Sequence, residues 1–364
     1  MIGFDPTDEQ ALIVETVRGF VENEVRPRSR ECDEAASLTK DVLSQAHELG
    51  LVANSLPEAH GGGGERSAVT TCLVIEELAW GDLALAVGIL SPSQLGIPVA
   101  DFGTDAQQQE LLPKLCGNSF EPGCLALVEP RFDFDAAQPR TTARRQGDEY
   151  VLSGEKCLVP WLDGTGPALV VASDEASDSA QLFLVPRGAD GIGIEPEANL
   201  GLVGLPTVSL SLDDVRIPAH AKLGGEAGAH LQSLIDRGRV AGAAAAVGLA
   251  RASFELARDY AKEREAFGAP IATKQAIAFK LADMAIEIDA ARLLTWEAAF
   301  ALDHGSEATR EARLAFDKAR QAAVQASDGA IQVLGGHGYI RDYLPEMHLR
   351  NAAGFQSYEA LAFV

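Results

Sequence analysis

The hydrophobic and polar positions divide this chain into three stretches of different period. From residue 5 to about 118, apolar residues recur at intervals of three and four, as on helices that pack one face inward. Leu12, Val14, Val17, Phe20 and Val21 follow Thr7-Asp-Glu-Gln10, a capping box with acids in the first turn. Thr104-Asp-Ala-Gln107 repeats the device, and between the two the pattern predicts helices over 40–49, stopped by Gly50, and over 69–79. The turn-rich Pro57-Glu-Ala-His-Gly61-Gly62-Gly63-Gly64 reads as a loop, because it follows no strand and lacks the Lys-Ser/Thr of a phosphate cradle.

From Cys124 to Leu223 the period shortens to that of strands. Short runs rich in Val, Leu and Ile at 150–152, 168–172, 181–186, 192–195 and 208–212 are separated by Gly, Asp, Ser and Pro, and predict a compact antiparallel sheet or barrel. Beyond Ala229 the helical period returns over 231–264, 274–303 and 307–334, none of which contains proline. Each predicts a helix on the order of 40 Å long, a length suited to a bundle. Ala and Gly in Val240-Ala-Gly-Ala-Ala-Ala-Ala-Val-Gly248 let neighbouring helices approach closely. The expectation is an α+β protein: an all-α domain over 1–120, an antiparallel β-domain over 121–226 and a carboxyl-terminal four-helix bundle over 227–364.

Composition narrows the chemistry. A chain of 364 residues, 47% hydrophobic and 23% charged, has material for a large core and two or three domains. No apolar run reaches the roughly 18 residues of a membrane span, and Met1-Ile-Gly-Phe-Asp-Pro is neither basic nor apolar, which points to a cytoplasmic protein. The five cysteines are scattered, with no CxxC, and read as buried free thiols rather than a disulfide framework or zinc site. A net charge of −23 opposes binding to nucleic acid or an anionic membrane. An anionic cofactor needs local Lys and Arg. The seven histidines lack metal-ligand spacing, and neither GxxxxGK[ST] nor GxSxG occurs.

The candidate chemistry lies near the carboxyl end. Gln332-Val-Leu-Gly335-Gly336-His-Gly338-Tyr339 is a glycine turn that can approach a phosphate-bearing ligand, and Tyr358-Glu359 offers a late carboxylate that can take a proton. Alone, the first is an ordinary helix cap and the second a solvated side chain. His337 reads as a turn residue.

Together with Glu-Val-Arg-Pro27, Glu48-Leu-Gly-Leu51, Pro57-Glu-Ala-His-Gly61-Gly62, Glu76-Glu77-Leu-Ala, Phe102-Gly-Thr104, Gly147-Asp-Glu-Tyr-Val-Leu-Ser-Gly-Glu-Lys156, Asp214-Val-Arg-Ile-Pro218 and Arg264-Glu-Ala-Phe267-Gly268, these motifs resemble the acyl-CoA dehydrogenase family along nearly the whole chain. The resemblance implies FAD as cofactor, an acyl-CoA substrate, an electron-transfer flavoprotein as acceptor and a tetramer built from two dimers. It implies Glu359 as the base for the α-proton, since Tyr358-Glu359 lies nine residues beyond Arg350-Asn-Ala. The alternative base position in other members, just before an Arg, is Gly238 here. Asp236, Arg239 and Tyr358 match substrate contacts, although Asp236 and Arg239 also suit an i, i+3 ion pair.

Two sets of flavin contacts are implied. Arg264, Phe267, Gln275, Gln332, Gly335 and Gly336 match the set that grips pyrophosphate and adenine across a dimer interface, where a guanidinium and glycine backbone are apt. The set around the ring is altered: Val128-Glu-Pro-Arg-Phe132-Asp-Phe134-Asp stands for Thr-Glu-Pro-Gly-Ala-Gly-Ser-Asp, and Leu158-Val-Pro160-Trp161 for Trp-Ile-Thr-Asn. Val128 and Pro160 thus replace hydroxyl donors. Ala360-Leu361 replaces Gly-Thr after the base, and the sequence stops at Val364 without the customary last helix. The readings are a dehydrogenase with a rebuilt pocket, or a partner subunit of a heteromeric dehydrogenase that lends its contacts to FAD seated in another chain. An oxidase, or an enzyme acting on a carrier-protein thioester, is a third.

Overall fold

In the computed structural model, which describes residues 5–359 and 362–364, Thr7 Oγ1 accepts from the Gln10 N–H and the Gln10 side chain accepts from the Thr7 N–H. Helix α1 (Asp8–Phe20) therefore starts where the capping box places it. Ala360-Leu361 and Met1–Phe4 lie outside the described residues. Helices α2 (Ser29–Ala35), α3 (Lys40–Glu48), α4 (Ala68–Gly81), α5 (Leu83–Ile89), α6 (Ser93–Phe102) and α7 (Asp105–Leu115) complete the first domain, and Thr104 caps α7 in the same way. Helices α5 and α6 escape periodicity because nearly every residue from Leu83 to Val99 is buried, so no polar face marks them. The glycine run is a loop, and packing explains it: a Cβ on Gly62 would lie 2.2 Å from the Leu56 carbonyl oxygen.

Strands β1 (Leu125–Ala126), β2 (Thr142–Gln146), β3 (Glu149–Pro160), β4 (Ala168–Asp174), β5 (Ser179–Val185), β6 (Ile192–Pro196) and β7 (Thr207–Pro218) form one sheet in the order β1-β4-β2-β3-β7-β6, with β5 paired to β4. The expected all-antiparallel pairing is corrected in two places, since β1 and β2 each run parallel to β4. Neither carried a strand signal: β1 has two residues, and β2, Thr-Ala-Arg-Arg-Gln, buries one. A bulge between Lys156 and Val159 interrupts the pairing of β3 with β7, and Leu158 within it has φ +55°.

The third domain consists of α8 (Leu231–Glu263), α9 (Gln275–Asp303), α10 (Thr309–Leu334) and α11 (Pro345–Phe355). The small residues of α8 do allow close approach. A Cβ on Gly248 would meet the Glu76 carbonyl oxygen of α4 at 2.3 Å, and one on Gly242 would meet the Phe316 ring of α10 at 2.6 Å. Helix α8 is, against expectation, long and apolar enough to cross a membrane, but most of that stretch is buried inside the chain.

Ion pairs join the two helical domains. Arg251 of α8 grips Glu77 of α4 with both terminal nitrogens at 2.8 and 2.7 Å, Arg18 of α1 reaches Glu77 at 2.7 Å, and Arg292 of α9 reaches Glu76 at 3.0 Å. Both carboxylates are buried, so each needs its arginine: a buried charge without a partner is costly. Arg251→Met is expected to destabilise the protein by about 3 kcal/mol. Urea unfolding checks this, and Glu77→Gln added to Arg251→Met is expected to recover part of the loss.

Candidate functional site

Five of the residues proposed from sequence line two separate hollows: Val128 and Glu359 one, and Arg264, Gly335 and Gly336 the other. The first is a cleft of ≈ 430 Å³ between the β-domain and the segment after α11, lined by Val128, Glu129, Pro130, Arg131, Phe132, Phe134, Cys157, Leu158, Gln356, Ser357 and Glu359. Glu359 is here because α11 ends at Phe355 and the chain turns into the cleft. Its Oε2 is buried and accepts no hydrogen bond, and the nearest cation is Arg239 of α8, Nη2 at 3.5 Å. Glu359 thus lines the cleft and keeps one oxygen with a charge partner but no donor committed to it. Arg239 pairs with Glu359 instead of with Asp236, whose carboxylate accepts from Gln232 at 2.8 Å and Thr309 at 2.6 Å.

A buried ion pair shapes the β-domain wall of this cleft. Lys156, fully buried, donates to Glu129 Oε1 at 2.9 Å and to the Leu127 carbonyl at 3.2 Å. Glu129 also accepts from the Arg140 and Thr141 backbone N–H groups, the Thr141 hydroxyl and Arg131 Nε. Burial alone would raise its pKa, but the Lys156 charge and these donors hold it down at about 2. Burial also lowers Lys156, to about 8, against the pull of Glu129. The pair fixes Val128 on one side and Cys157-Leu158 on the other, and the Cys157 N–H donates to the Val128 carbonyl at 2.9 Å. Leu158 donates its N–H to the Glu197 carboxylate at 3.0 and 3.2 Å, which secures its left-handed backbone. Cys157 is only half-buried, as is Cys116, which corrects the uniform burial expected of the thiols; burial and Glu197 still push the Cys157 thiol up to about 11.

The second hollow is a groove of ≈ 480 Å³ where α8 and α10 end, lined by Tyr260, Arg264, Ile271, Val333, Leu334, Gly335, Gly336, His337 and Ile340. Arg264 is exposed and forms no ion pair among the described residues. Gly335 has φ +58° with open space around its Cβ direction, which leaves the backbone approachable. Phe267 projects a fully exposed ring from a left-handed residue (φ +54°) in the hairpin that pairs Glu265-Ala266 with Ala269-Pro270. A strained backbone that presents an aromatic ring to water suits a ligand or a second chain.

Besides Phe267, Asp236 and Arg239, four more expected residues line neither hollow. Gln275 and Gln332 are exposed near the groove ends of α9 and α10. Pro160 is buried at the end of β3, opposite Thr207 of β7. Tyr358 turns into the core, with its hydroxyl 3.5 Å from Asn199 Nδ2 and its pKa pushed up to about 12 by burial. Sequence reasoning missed Cys157, Gln356 and Ser357 on the cleft; the bulge that brings Cys157 there leaves no mark in the period.

Family models match three consecutive parts of the chain: acyl-CoA dehydrogenase N-terminal domain over residues 7–119, middle domain over 124–215 and C-terminal domain over 228–359. The chain is 35% identical over 360 residues to a probable acyl-CoA dehydrogenase of Bacillus subtilis, covering 96% of this chain and 94% of that one. Among solved structures it is similar to butyryl-CoA dehydrogenase of Megasphaera elsdenii (TM-score 0.89, 30% identity, 98% and 96% covered). It is also similar to a glutaryl-CoA dehydrogenase of Mycobacterium smegmatis in complex with FADH2 (TM-score 0.88, 28% identity, 97% and 91% covered). FAD is the cofactor of such enzymes, and the groove fits its diphosphate through an unpaired guanidinium and an open glycine turn. At the cleft, Val128 supplies no hydroxyl, and the side chains lining it that can donate are Arg131, Gln356 and Ser357.

The Glu129–Lys156 pair gives acid sensitivity with a definite sign. A carboxylate whose folded pKa is depressed contributes stability above its ordinary range and loses it as pH falls from about 4.5 toward 2. Urea midpoints of the wild type are expected to fall across that window; Glu129→Gln, less stable at pH 6, is expected to lack this part of the fall.

Proposed function

Because this chain belongs to the acyl-CoA dehydrogenase family, whose members are FAD-dependent oxidoreductases acting on CH–CH donors, we propose that it dehydrogenates an acyl-CoA thioester across Cα–Cβ with Glu359 as base. The observation that carries this reading is the Glu359 Oε2 atom, buried at the cleft and free of hydrogen-bond donors. An α-proton of a thioester is weakly acidic, and a carboxylate not already engaged by donors is the better base for it. The flavin, when bound, supplies the acceptor for the β-hydrogen. Arg239 has two tasks in this reading: it holds Glu359 in place by charge at 3.5 Å, and it offers a cation to the anionic CoA part of the substrate. Asp236, one turn earlier on α8, is tied to Gln232 and Thr309 and serves to position the start of that helix. An electron-transfer flavoprotein is the proposed electron acceptor.

Assembly belongs to the same proposal. The cleft and the groove share no lining residue, and in this reading the cleft of one chain and the groove of another hold one flavin. Phe279, Ile286, Leu293 and Phe300, exposed by 62%, 63%, 47% and 58%, recur every seven residues along α9 and form an apolar stripe suited to packing against another helix. We assign this stripe to an oligomer contact. Ile286→Glu with Leu293→Glu is expected to reduce the assembly measured by light scattering; an unchanged mass would remove the stripe from the interface.

A second reading is favoured by a specific observation: Val128, which has no hydroxyl, lines the cleft, while Arg264 and the glycine turn at Gly335-Gly336 line the groove. In it, this chain is the flavin-poor subunit of a heteromeric dehydrogenase and lends Arg264, Phe267 and the glycine turn to FAD seated in a homologous chain. The visible spectrum of the protein purified alone separates the two. Flavin absorbance near one per chain supports the first, and a colourless protein that turns yellow only when produced with a homologous subunit supports the second. In the flavin-loaded form, Glu359→Gln is expected to lower turnover of butyryl-CoA by about a thousandfold and to leave the flavin bound; undiminished turnover would exclude Glu359 as base.

A further inference from the structure

The groove that holds Arg264 has an electrostatic difficulty. Two helices, α8 and α10, end at it, and helix carboxyl ends carry partial negative charge that repels an anion. A diphosphate there needs more than backbone N–H groups, and Arg264 lies between Glu263 and Glu265 in sequence. The remaining side chain that lines the groove and can donate to an anion from a ring nitrogen is His337.

Its surroundings hold it in one orientation. The Tyr260 hydroxyl lies 2.8 Å from His337 Nδ1, and the Tyr343 ring packs against the imidazole with centroids 5.3 Å apart and against Tyr260 at 6.2 Å. Among the described residues nothing hydrogen-bonds Nε2. If the hydroxyl donates to Nδ1, the one N–H of the neutral ring is on Nε2, the nitrogen that no protein atom uses. A half-buried imidazole braced by two tyrosines, with its free nitrogen unengaged beside an unpaired arginine, is more than a turn residue requires.

We propose that His337 is an anion ligand of this groove, donating from Nε2 to the diphosphate of a nucleoside diphosphate moiety alongside Arg264, with Tyr260 as the positioning residue that sets its tautomer. This rests on the reading that the groove takes the diphosphate part of FAD, and it adds a contact outside the arginine and glycine pair.

Isothermal titration of the full-length protein, freed of any flavin, with ADP tests the inference without reference to turnover. His337→Ala is expected to weaken ADP on the order of ten- to a hundredfold, as loss of a hydrogen bond to a charged group does, and His337→Gln, which keeps an N–H donor, to recover a large part of it. Tyr260→Phe is expected to weaken ADP less than His337→Ala, and to have no further effect when His337 is already Ala. If Arg264→Ala abolishes binding while His337→Ala leaves it unchanged with an unaltered melting curve, His337 is not a ligand and the diphosphate reading stands. If neither substitution changes ADP affinity, the groove itself does not bind diphosphate.

Discussion

The position of Glu359 depends on one half-buried guanidinium. Arg350 of α11 spans Asp33 of α2 with both terminal nitrogens, at 3.0 and 2.8 Å, bonds Glu346 through Nε at 2.9 Å, and donates to the Leu200 carbonyl of the β-domain at 3.0 Å. Burial would lower its pKa, but the two carboxylates raise it, so it stays charged at any working pH. Arg30 closes the cluster by bonding Glu346 at 2.6 Å and the Tyr343 carbonyl at 2.8 Å. Next to it, Asn351 accepts from the Leu202 N–H at 2.8 Å, and a Cβ on Gly201 would lie 2.2 Å from the Arg350 carbonyl oxygen. All three domains therefore meet on two residues of α11, and the short run from Phe355 to Glu359 leaves that anchor with little freedom. A carboxylate intended for proton transfer must be held within a fraction of an ångström, and a helix pinned from three sides provides this.

The same logic explains why the two hollows differ so much in sequence. The cleft is walled by a buried, fully satisfied Glu129–Lys156 pair, which tolerates changed neighbours because its own partners are internal. Val128, Phe132 and Phe134 could change around it without loss of the fold. The groove has no such internal support for its charge: Arg264 is unpaired and Phe267 is strained and exposed, so these residues have little to gain within one chain. Their presence is easier to account for by what they touch in an assembly than by what they do for the monomer.

Much of the architecture was legible because it follows from period and caps. The capping boxes at Thr7 and Thr104, the long proline-free helices and the small residues at Gly242 and Gly248 all act as their positions in the sequence imply. Illegible parts have physical reasons as well. Helices α5 and α6 are buried on every side, and β1 and β2 are held by pairing with β4 rather than by any alternation of their own. At the site, the family resemblance singled out Glu359 and the glycine turn, which line the cleft and the groove. The partner of Arg239 was not, since pairing with Asp236 on the same helix and pairing with a residue 120 positions later look alike in one dimension. Nor could the inward turn of Tyr358 be read, because Asn199, which donates to its hydroxyl, and Thr207 beside it lie in the β-domain.

In the proposed function, Glu359 takes a proton from the α-carbon of a thioester bound in the cleft. Proton abstraction can be followed apart from electron transfer by incubating the assembled, flavin-loaded protein with butyryl-CoA in deuterium oxide without an electron acceptor, and measuring deuterium at the α-carbon by mass spectrometry. The wild type is predicted to exchange that hydrogen and Glu359→Gln to leave it at the solvent background rate. Equal exchange in both proteins would contradict the account.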